Sequence, residues 1–183
     1  MQDRGQPPNL ITYNSLLDGM LKNKKLDKAL VLYSLMKERG IIPDIYTYNI
    51  FIDGLCKSGR LKNAIEIFHD LSIKGYHPNV RTYTIMIDGL CKAGLLHKAL
   101  AFLSKMEDNG SLPDAVTCKI IIRVLLKKGE KDKAVELLRE MISRGLLQGE
   151  KQMEADGSGR HIALLETAEM ADYLKNYMAE EGL

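Results

Sequence analysis

The sequence lacks tryptophan altogether and has only 3 phenylalanines and 3 cysteines among its 183 residues. Leucine, isoleucine, methionine and tyrosine must therefore build the core. An odd cysteine count without a C-x-x-C pair indicates neither a disulfide framework nor a zinc site, and it fits a reducing compartment. No apolar run approaches the roughly 18 to 20 residues of a membrane span. The apolar fraction of 45% and charged fraction of 27% exclude collagen-like, mucin-like and wholly disordered chains.

The small net charge of +2 conceals an asymmetry along the chain. Residues 115–149 carry 8 Lys and Arg against 4 Asp and Glu, whereas residues 150–183 carry 3 against 8. A basic body is thus followed by an acidic tail. The mean charge alone says little about partners.

The sequence repeats itself every 35 residues, and a period of this size is typical of solenoids built from stacked units. Six columns keep the spacing over three or four copies. They are Pro8, Pro43, Pro78 and Pro113; Tyr13, Tyr48 and Tyr83, followed by Cys118; Gly19, Gly54 and Gly89, followed by Val124; Lys22, Lys57, Lys92 and Lys127; Ala29, Ala64, Ala99 and Ala134; and Gly40, Gly75, Gly110 and Gly145.

One unit, residues 45–79, predicts a hairpin of two helices. Asp44 can cap the first helix, whose apolar residues recur with a period of 3.6 up to the break at Ser58 and Gly59. A second apolar stripe starts at Leu61 and ends at Gly75 and Pro78. A single hairpin cannot bury both stripes, so the units must stack. The sequence therefore predicts an all-α solenoid of 35-residue helix-turn-helix repeats.

The repeat boundaries follow from the columns. Residues 1–9 match the end of a preceding repeat, which indicates a fragment of a longer array or a truncated product. Residues 10–44, 45–79 and 80–114 form three regular repeats, and residues 115–149 form a degenerate fourth. Residues 150–162 are polar and contain glycine, as a flexible linker does. Residues 163–183 predict an acidic amphipathic helix, which we expect to cap the last repeat; the alternative is a dedicated partner-binding helix.

The string T-Y-N…I-D-G-L-C-K-x-G…A…G…P-D, as in IYTYNIFIDGLCKSGRLKNAIEIFHDLSIKGYHPN, covers about residues 1–147. It resembles the pentatricopeptide repeat (PPR) family, specifically its P-type arrays, and is similar to plant restorers of cytoplasmic male fertility. The tetratricopeptide repeat is the nearest rival, but its W-x-x-L-G-x-x-Y pattern is absent here. The resemblance implies a right-handed α-solenoid that binds single-stranded RNA in its concave face, one base per repeat.

In this family two residues per repeat choose the base. One lies near the start of the first helix, and the other follows the terminal proline. The resemblance places these base-selecting pairs at Asn14 with Asp44, Asn49 with Asn79, and Thr84 with Asp114. The implied preferences are U, then C or U, then G, which gives a 5′-U-(C/U)-G-3′ core. The hypothesis requires Asn14, Asn49 and Thr84 to face the groove.

Two further sets of residues are implied around the bases. The resemblance places side chains that clamp the base faces at Ile11, Tyr46, Arg81 and Val116, although these residues could instead pack on the next hairpin. The cations needed by the phosphates are expected at the ends of the first helices, where a favourable interaction with the helix dipole is the alternative explanation. These cations are Lys22, Lys57, Lys92 and Lys127.

No catalytic constellation is visible. The histidines occupy unrelated registers, the cysteines fall on apolar stripes, and no nucleophile-base-carboxylate set occurs. We therefore expect no enzyme activity, metal, cofactor, small-molecule substrate or membrane partner. RNA is the expected partner, with other RNA-processing proteins as a further one; the alternatives are a protein-interaction scaffold or an array too short to bind usefully. The resemblance alone implies a mitochondrion or plastid, mitochondrion favoured, since the chain shows no transit peptide.

Overall fold

The computed structural model describes residues 8–146. In this range the chain folds into eight α-helices of 13 residues each, arranged as four hairpins, with no strand. The segment predicted as a linker, the acidic helix predicted at 163–183 and most of the segment assigned to a preceding repeat lie outside the described residues. The helices are α1 (Leu10–Lys22), α2 (Leu26–Glu38), α3 (Ile45–Lys57), α4 (Leu61–Ile73), α5 (Val80–Lys92), α6 (Leu96–Asp108), α7 (Ala115–Lys127) and α8 (Lys131–Ser143).

Each first helix of a hairpin begins at the same kind of cap. The side chains of Asn9, Asp44, Asn79 and Asp114 accept a hydrogen bond through Oδ1 from the backbone N–H of the threonine three residues later, at 3.0, 2.8, 3.0 and 2.8 Å. Such a cap stabilises a helix by about 1 kcal/mol. The residue after each recurring proline therefore stabilises a helix start, in addition to its predicted contact with a base.

The hairpins stack through their first helices. Helices α1, α3, α5 and α7 pack closely on one another in series. The backbones of the second helices of neighbouring hairpins lie farther apart, although large side chains bridge them, as Phe68 of α4 and Phe102 of α6 do with ring centroids 5.0 Å apart. The first helices thus form one continuous layer and the second helices lie behind it. Two clusters of buried side chains run along the interface between the layers, and Leu26 and Ile67 contact both clusters. This arrangement is the predicted α-solenoid.

The repeated alanines and glycines make the close packing possible. Ala29, Ala64, Ala99 and Ala134 are completely buried. A Cβ added to Gly54 would lie 2.7 Å from Leu21 Cβ, and one added to Gly89 would lie 2.5 Å from Cys56 Sγ. Both distances are far below the roughly 3.5 to 4.0 Å of ordinary carbon contacts. Glycine in this column therefore sets how closely neighbouring first helices approach.

Thirteen residues make a helix of about 20 Å, whereas the hydrocarbon core of a bilayer is about 30 Å thick. Among the described residues, no helix combines the length and the apolar character that a membrane crossing requires.

Candidate nucleic-acid interface

Each first helix presents the same four positions along one side. They are spaced i, i+3, i+7 and i+11, which places them on a single face of an α-helix. Because the first helices stack in register, the four positions repeat along one face of the layer. They comprise the predicted clamp residue, the first member of the base-selecting pair, an acidic residue in three of the four repeats, and the predicted phosphate-binding lysine. In α1 these are Ile11, Asn14, Asp18 and Lys22; in α3 Tyr46, Asn49, Asp53 and Lys57; in α5 Arg81, Thr84, Asp88 and Lys92; in α7 Val116, Lys119, Arg123 and Lys127.

The four predicted clamp residues are all exposed. Ile11, Tyr46 and Val116 have 74%, 49% and 57% of their surface accessible, and Arg81 is exposed as well. The guanidinium carbon of Arg81 lies 6.0 Å from the ring centroid of Tyr46, so the clamp residues of successive repeats are neighbours. A base inserted between two flat groups needs about 7 Å, twice the optimal carbon separation. Arg81 would therefore have to move outward to admit a base beside Tyr46.

Asn14 and Asn49 do not lie open on this face. Only 4% and 3% of their surfaces are accessible, while Thr84 is half-buried. The reason is the close approach of neighbouring first helices, which brings Thr47 against Asn14 and Thr117 against Thr84. These residues lie on the same helical face as the clamp residues, but between two helices. A base can reach them only along the narrow edge that remains accessible.

The second members of the pairs are the helix caps. Asp44 and Asp114 are half-buried and Asn79 is exposed. All three use Oδ1 for the cap, and their other side-chain atom takes part in none of the cap's hydrogen bonds. The cap therefore fixes the side chain, so that Asp44 and Asp114 retain an acceptor oxygen and Asn79 retains a donor NH₂ group.

A threonine that the sequence analysis passed over joins the two members of a pair. Thr47 Oγ1 lies 2.8 Å from both Asn14 Oδ1 and Asp44 Oδ1. Thr117 Oγ1 lies 2.7 Å from Thr84 Oγ1 and 2.8 Å from Asp114 Oδ1. The signal that would have found these threonines is another unbroken column at the 35-residue period, which is Thr12, Thr47, Thr82 and Thr117.

The predicted phosphate contacts are the last residues of the first helices, and three of them are already paired. The ammonium nitrogens of Lys22, Lys57 and Lys92 lie 2.5, 2.6 and 2.5 Å from the carboxylates of Asp18, Asp53 and Asp88, one turn earlier. The hydrogen bond and the charge of Asp18 raise the pKa of Lys22. These aspartates form a further column at the 35-residue period, which the motifs above did not single out. In the fourth repeat Arg123 replaces the aspartate before Lys127, so that helix is more basic at the same place.

The cysteines lie inside the array rather than on this face. Cys91 and Cys118 are buried and Cys56 is half-buried. Burial raises the pKa of the Cys56 thiol to about 12 and those of Cys91 and Cys118 to about 11. Thiols that stay protonated at neutral pH are poor nucleophiles and poor metal ligands. Across residues 8–146, no group of three or more histidine, cysteine, aspartate or glutamate side chains is placed to hold a metal ion.

Comparison with known proteins places this arrangement in a family. The PPR repeat family model matches residues 8–57 and 47–92, and a PPR repeat model matches residues 81–111 and 116–146. A comparison with curated proteins gave no significant match.

Solved structures agree with the family models. The chain resembles the pentatricopeptide repeat protein PPR10 in complex with an 18-nt psaJ RNA element, with 32% identity over 78% of the chain and a TM-score of 0.70. It also resembles PPR10 from maize, with a TM-score of 0.67 at the same identity and coverage. The chain spans only about a fifth of those proteins, 21% and 20% of their lengths.

The PPR domain of Arabidopsis thaliana protein-only RNase P 1, in complex with tRNA, shares the fold at 16% identity. That match has a TM-score of 0.64 and covers 93% of this chain and 83% of that one. The repeat models cover most of the residues that form the stacked hairpins. The chain therefore belongs to the pentatricopeptide repeat family.

Proposed function

We propose that the array binds single-stranded RNA along the face formed by its first helices, with one base per repeat. The observation that carries the proposal is the meeting of residues distant in the sequence. The two members of each base-selecting pair are separated by 30 positions, yet Asn14 and Asp44, and likewise Thr84 and Asp114, approach one shared threonine hydroxyl. A recurring polar edge beside an exposed clamp residue is suited to hydrogen bonding and stacking with an unpaired base.

The likeness to a protein solved with RNA supports the same function. PPR10 is 32% identical to this chain and was determined in complex with an RNA element. The implied core for this chain is 5′-U-(C/U)-G-3′, selected by the pairs in repeats 10–44, 45–79 and 80–114. The protein acts by occupying RNA rather than by catalysis, in organelle RNA processing or stability, and mitochondrion is favoured over plastid.

Ion pairs within the protein limit how strongly the lysines can attract RNA phosphates. Lys22, Lys57 and Lys92 each face an aspartate at hydrogen-bonding distance. A phosphate must therefore compete with a carboxylate for each ammonium group. Exposed ion pairs of this kind contribute only about 0 to 1 kcal/mol, so a phosphate can displace them at low salt. Lys127, which has Arg123 one turn before it, needs no such exchange with an aspartate.

The proposal is tested by fluorescence polarisation of labelled RNA. Three RNAs of twelve nucleotides are titrated with the chain at several salt concentrations: a single strand that contains U-C-G, a single strand with a scrambled core, and a fully paired duplex. We expect the single strand with U-C-G to bind most tightly and its affinity to fall steeply with salt. Discrimination stays modest, because each base contact contributes about 1 to 3 kcal/mol and only three pairs are complete. Equal affinity for all three RNAs would refute base selection, and no binding at low salt would refute the function.

A further inference from the structure

We infer that Thr47, Thr82 and Thr117 are positioning residues that determine base specificity. Each transmits the chemistry of the helix cap to the first member of the base-selecting pair. The hydroxyl group has a single proton, and the cap residue decides where that proton goes. The destination of the proton then decides whether the first member of the pair offers a donor or an acceptor to the base. This inference rests on the proposed function.

The first repeat shows the competition most clearly. Thr47 Oγ1 lies 2.8 Å from Asn14 Oδ1 and 2.8 Å from Asp44 Oδ1, and both of these oxygens are acceptors. One hydroxyl proton cannot serve both. Hydrogen bonds to a carboxylate are roughly twice as strong as neutral ones, so Asp44 retains the proton. Asn14 then gains by turning its carboxamide over, because Nδ2 can donate to Thr47 Oγ1 while Oδ1 turns to the accessible edge.

In the third repeat the first member of the pair again offers an acceptor to the base, here through a hydroxyl group in place of an amide. Thr117 Oγ1 lies 2.8 Å from Asp114 Oδ1 and 2.7 Å from Thr84 Oγ1. With the Thr117 proton committed to the carboxylate, the Thr84 hydroxyl donates to Thr117. Thr84 Oγ1 then presents lone pairs, not a proton, to a base. The carbonyl oxygen of Val80, 2.8 Å from Thr84 Oγ1, is a second acceptor for the same Thr84 proton. Whichever of the two acceptors receives it, no proton of Thr84 is left for a base.

The second repeat differs because its cap is neutral. Thr82 Oγ1 lies 3.0 Å from Asn79 Oδ1, and Asn49 Oδ1 is buried without a hydrogen-bond partner. An amide oxygen holds the Thr82 proton less strongly than a carboxylate does. Thr82 Oγ1 makes no hydrogen bond to Asn49 Oδ1 in this structure, unlike the threonines of the other two pairs. A rotation of Thr82 that gave its proton to Asn49 Oδ1 would leave Asn49 Nδ2 as the donor for a base. A buried acceptor left unpaired costs about 1 to 3 kcal/mol, and this rotation would remove that cost.

The donor or acceptor that the first member of each pair offers can be matched to the imino position on the Watson–Crick edge of a base. Uracil and guanine carry an imino N–H group, which requires an acceptor, whereas cytosine and adenine carry a bare imino nitrogen, which requires a donor. An aspartate cap therefore favours uracil opposite Asn14 and guanine opposite Thr84. The asparagine cap of the second repeat lets Asn49 meet cytosine as well as uracil. Threonines that touch no base themselves thus take part in the choice.

The test compares three variants of the full chain by fluorescence polarisation. Each is titrated with RNAs that carry U or C at the first position of the core. Thr47→Val keeps the shape of a completely buried residue but removes the hydroxyl, and Thr47→Ser restores it. Thr12→Val is the control, because Thr12 Oγ1 also donates to the residue that caps its helix, Asn9, at 3.1 Å, and among the described residues it contacts no member of a base-selecting pair. Thr12 is exposed and its helix lacks the reciprocal capping bond of Thr47, so the U-to-C ratio, not the affinity, is compared.

We expect the wild-type chain, Thr47→Ser and Thr12→Val to prefer U over C about tenfold, and Thr47→Val to lose the preference to within about twofold. A merely structural role would weaken binding of both RNAs equally and leave the ratio unchanged, which would overturn the inference. The proposed function fails differently, because then the wild-type chain binds neither RNA.

If the wild-type chain binds neither RNA, a measurement on the free protein still tests the role of Thr47. The Asn14 Nδ2 protons are followed by solvent exchange in nuclear magnetic resonance spectra of the free protein. We expect these protons to exchange several-fold faster in Thr47→Val than in the wild-type chain, and to be unchanged in Thr12→Val. Equal exchange in wild type and Thr47→Val overturns the inference. If Thr47→Val does not fold, the same comparison is made with Thr117→Val and RNAs carrying G or A at the third position.

Discussion

Gly19 and Gly89 occupy the same position in α1 and α5, yet alanine should have opposite effects at the two sites. Nothing lies within 4 Å of a Cβ added to Gly19, whereas one added to Gly89 lies 2.5 Å from Cys56 Sγ and 2.7 Å from Cys56 Cβ. Replacing a helical glycine by alanine gains about 0.8 to 1.0 kcal/mol in helix propensity. Rotation of the Cys56 side chain cannot move its own Cβ, so Gly89→Ala must push α3 and α5 apart, which costs about 1 to 3 kcal/mol.

The free energy of unfolding should therefore rise by nearly 1 kcal/mol in Gly19→Ala and fall by up to about 2 kcal/mol in Gly89→Ala. Urea unfolding followed by circular dichroism measures both. Cys56→Gly in the Gly89→Ala background removes the opposing Cβ, so the double variant should lose less than the sum of the two single losses. Equal shifts of the same sign in Gly19→Ala and Gly89→Ala would refute the reasoning that this column sets the spacing of the first helices.

Three other changes have expected outcomes. Lys24 has a φ of 58° where the next two hairpins have Gly59 and Gly94, so Lys24→Gly should raise the urea midpoint, with a gain of up to about 1 kcal/mol. Asp88→Asn frees Lys92 and should tighten RNA binding up to about fivefold with a steeper salt dependence; Asp70→Asn, on the second helix of its hairpin, should do neither. Because burial raises the pKa of Cys91 to about 11, the unfolded chain loses the thiol proton first as pH rises above about 8.5. The free energy of unfolding, measured by urea unfolding at several pH values, should then fall by up to about 1.4 kcal/mol per pH unit. The fall should be less steep in Cys91→Ala, and identical pH profiles for the wild-type chain and Cys91→Ala would contradict this.

The sequence predicted the helical hairpins well because each is bounded by local chemistry. Asp44 and the proline before it mark the start of α3, and Ser58 and Gly59 mark its end. The family resemblance is likewise confirmed by the repeat models and by the likeness to PPR10. These features depend on residues close together in the chain, so their spacing carries the information.

The burial of the base-selecting residues and the pairing of the lysines could not be predicted in the same way. The burial of Asn14 depends on Thr47, which lies 33 positions later, and on how closely α1 and α3 approach. The column of lysines was visible, but its charge is balanced by aspartates whose role becomes clear only once a helix places them one turn away. Period and composition identify candidates; distances between neighbouring helices decide how accessible they are. Base selection itself stays a prediction.

The stacking of the hairpins has a mechanical consequence. The backbones of neighbouring hairpins approach most closely through their first helices, while their second helices meet through long side chains such as Phe68 and Phe102. A small rotation about this seam spreads or closes the outer helices without separating the inner ones. The four hairpins have three such junctions in series, so small rotations at each add up along the array. If the array binds RNA as proposed, such rotations would let the spacing of its repeats adjust to the spacing of the bases in the bound strand.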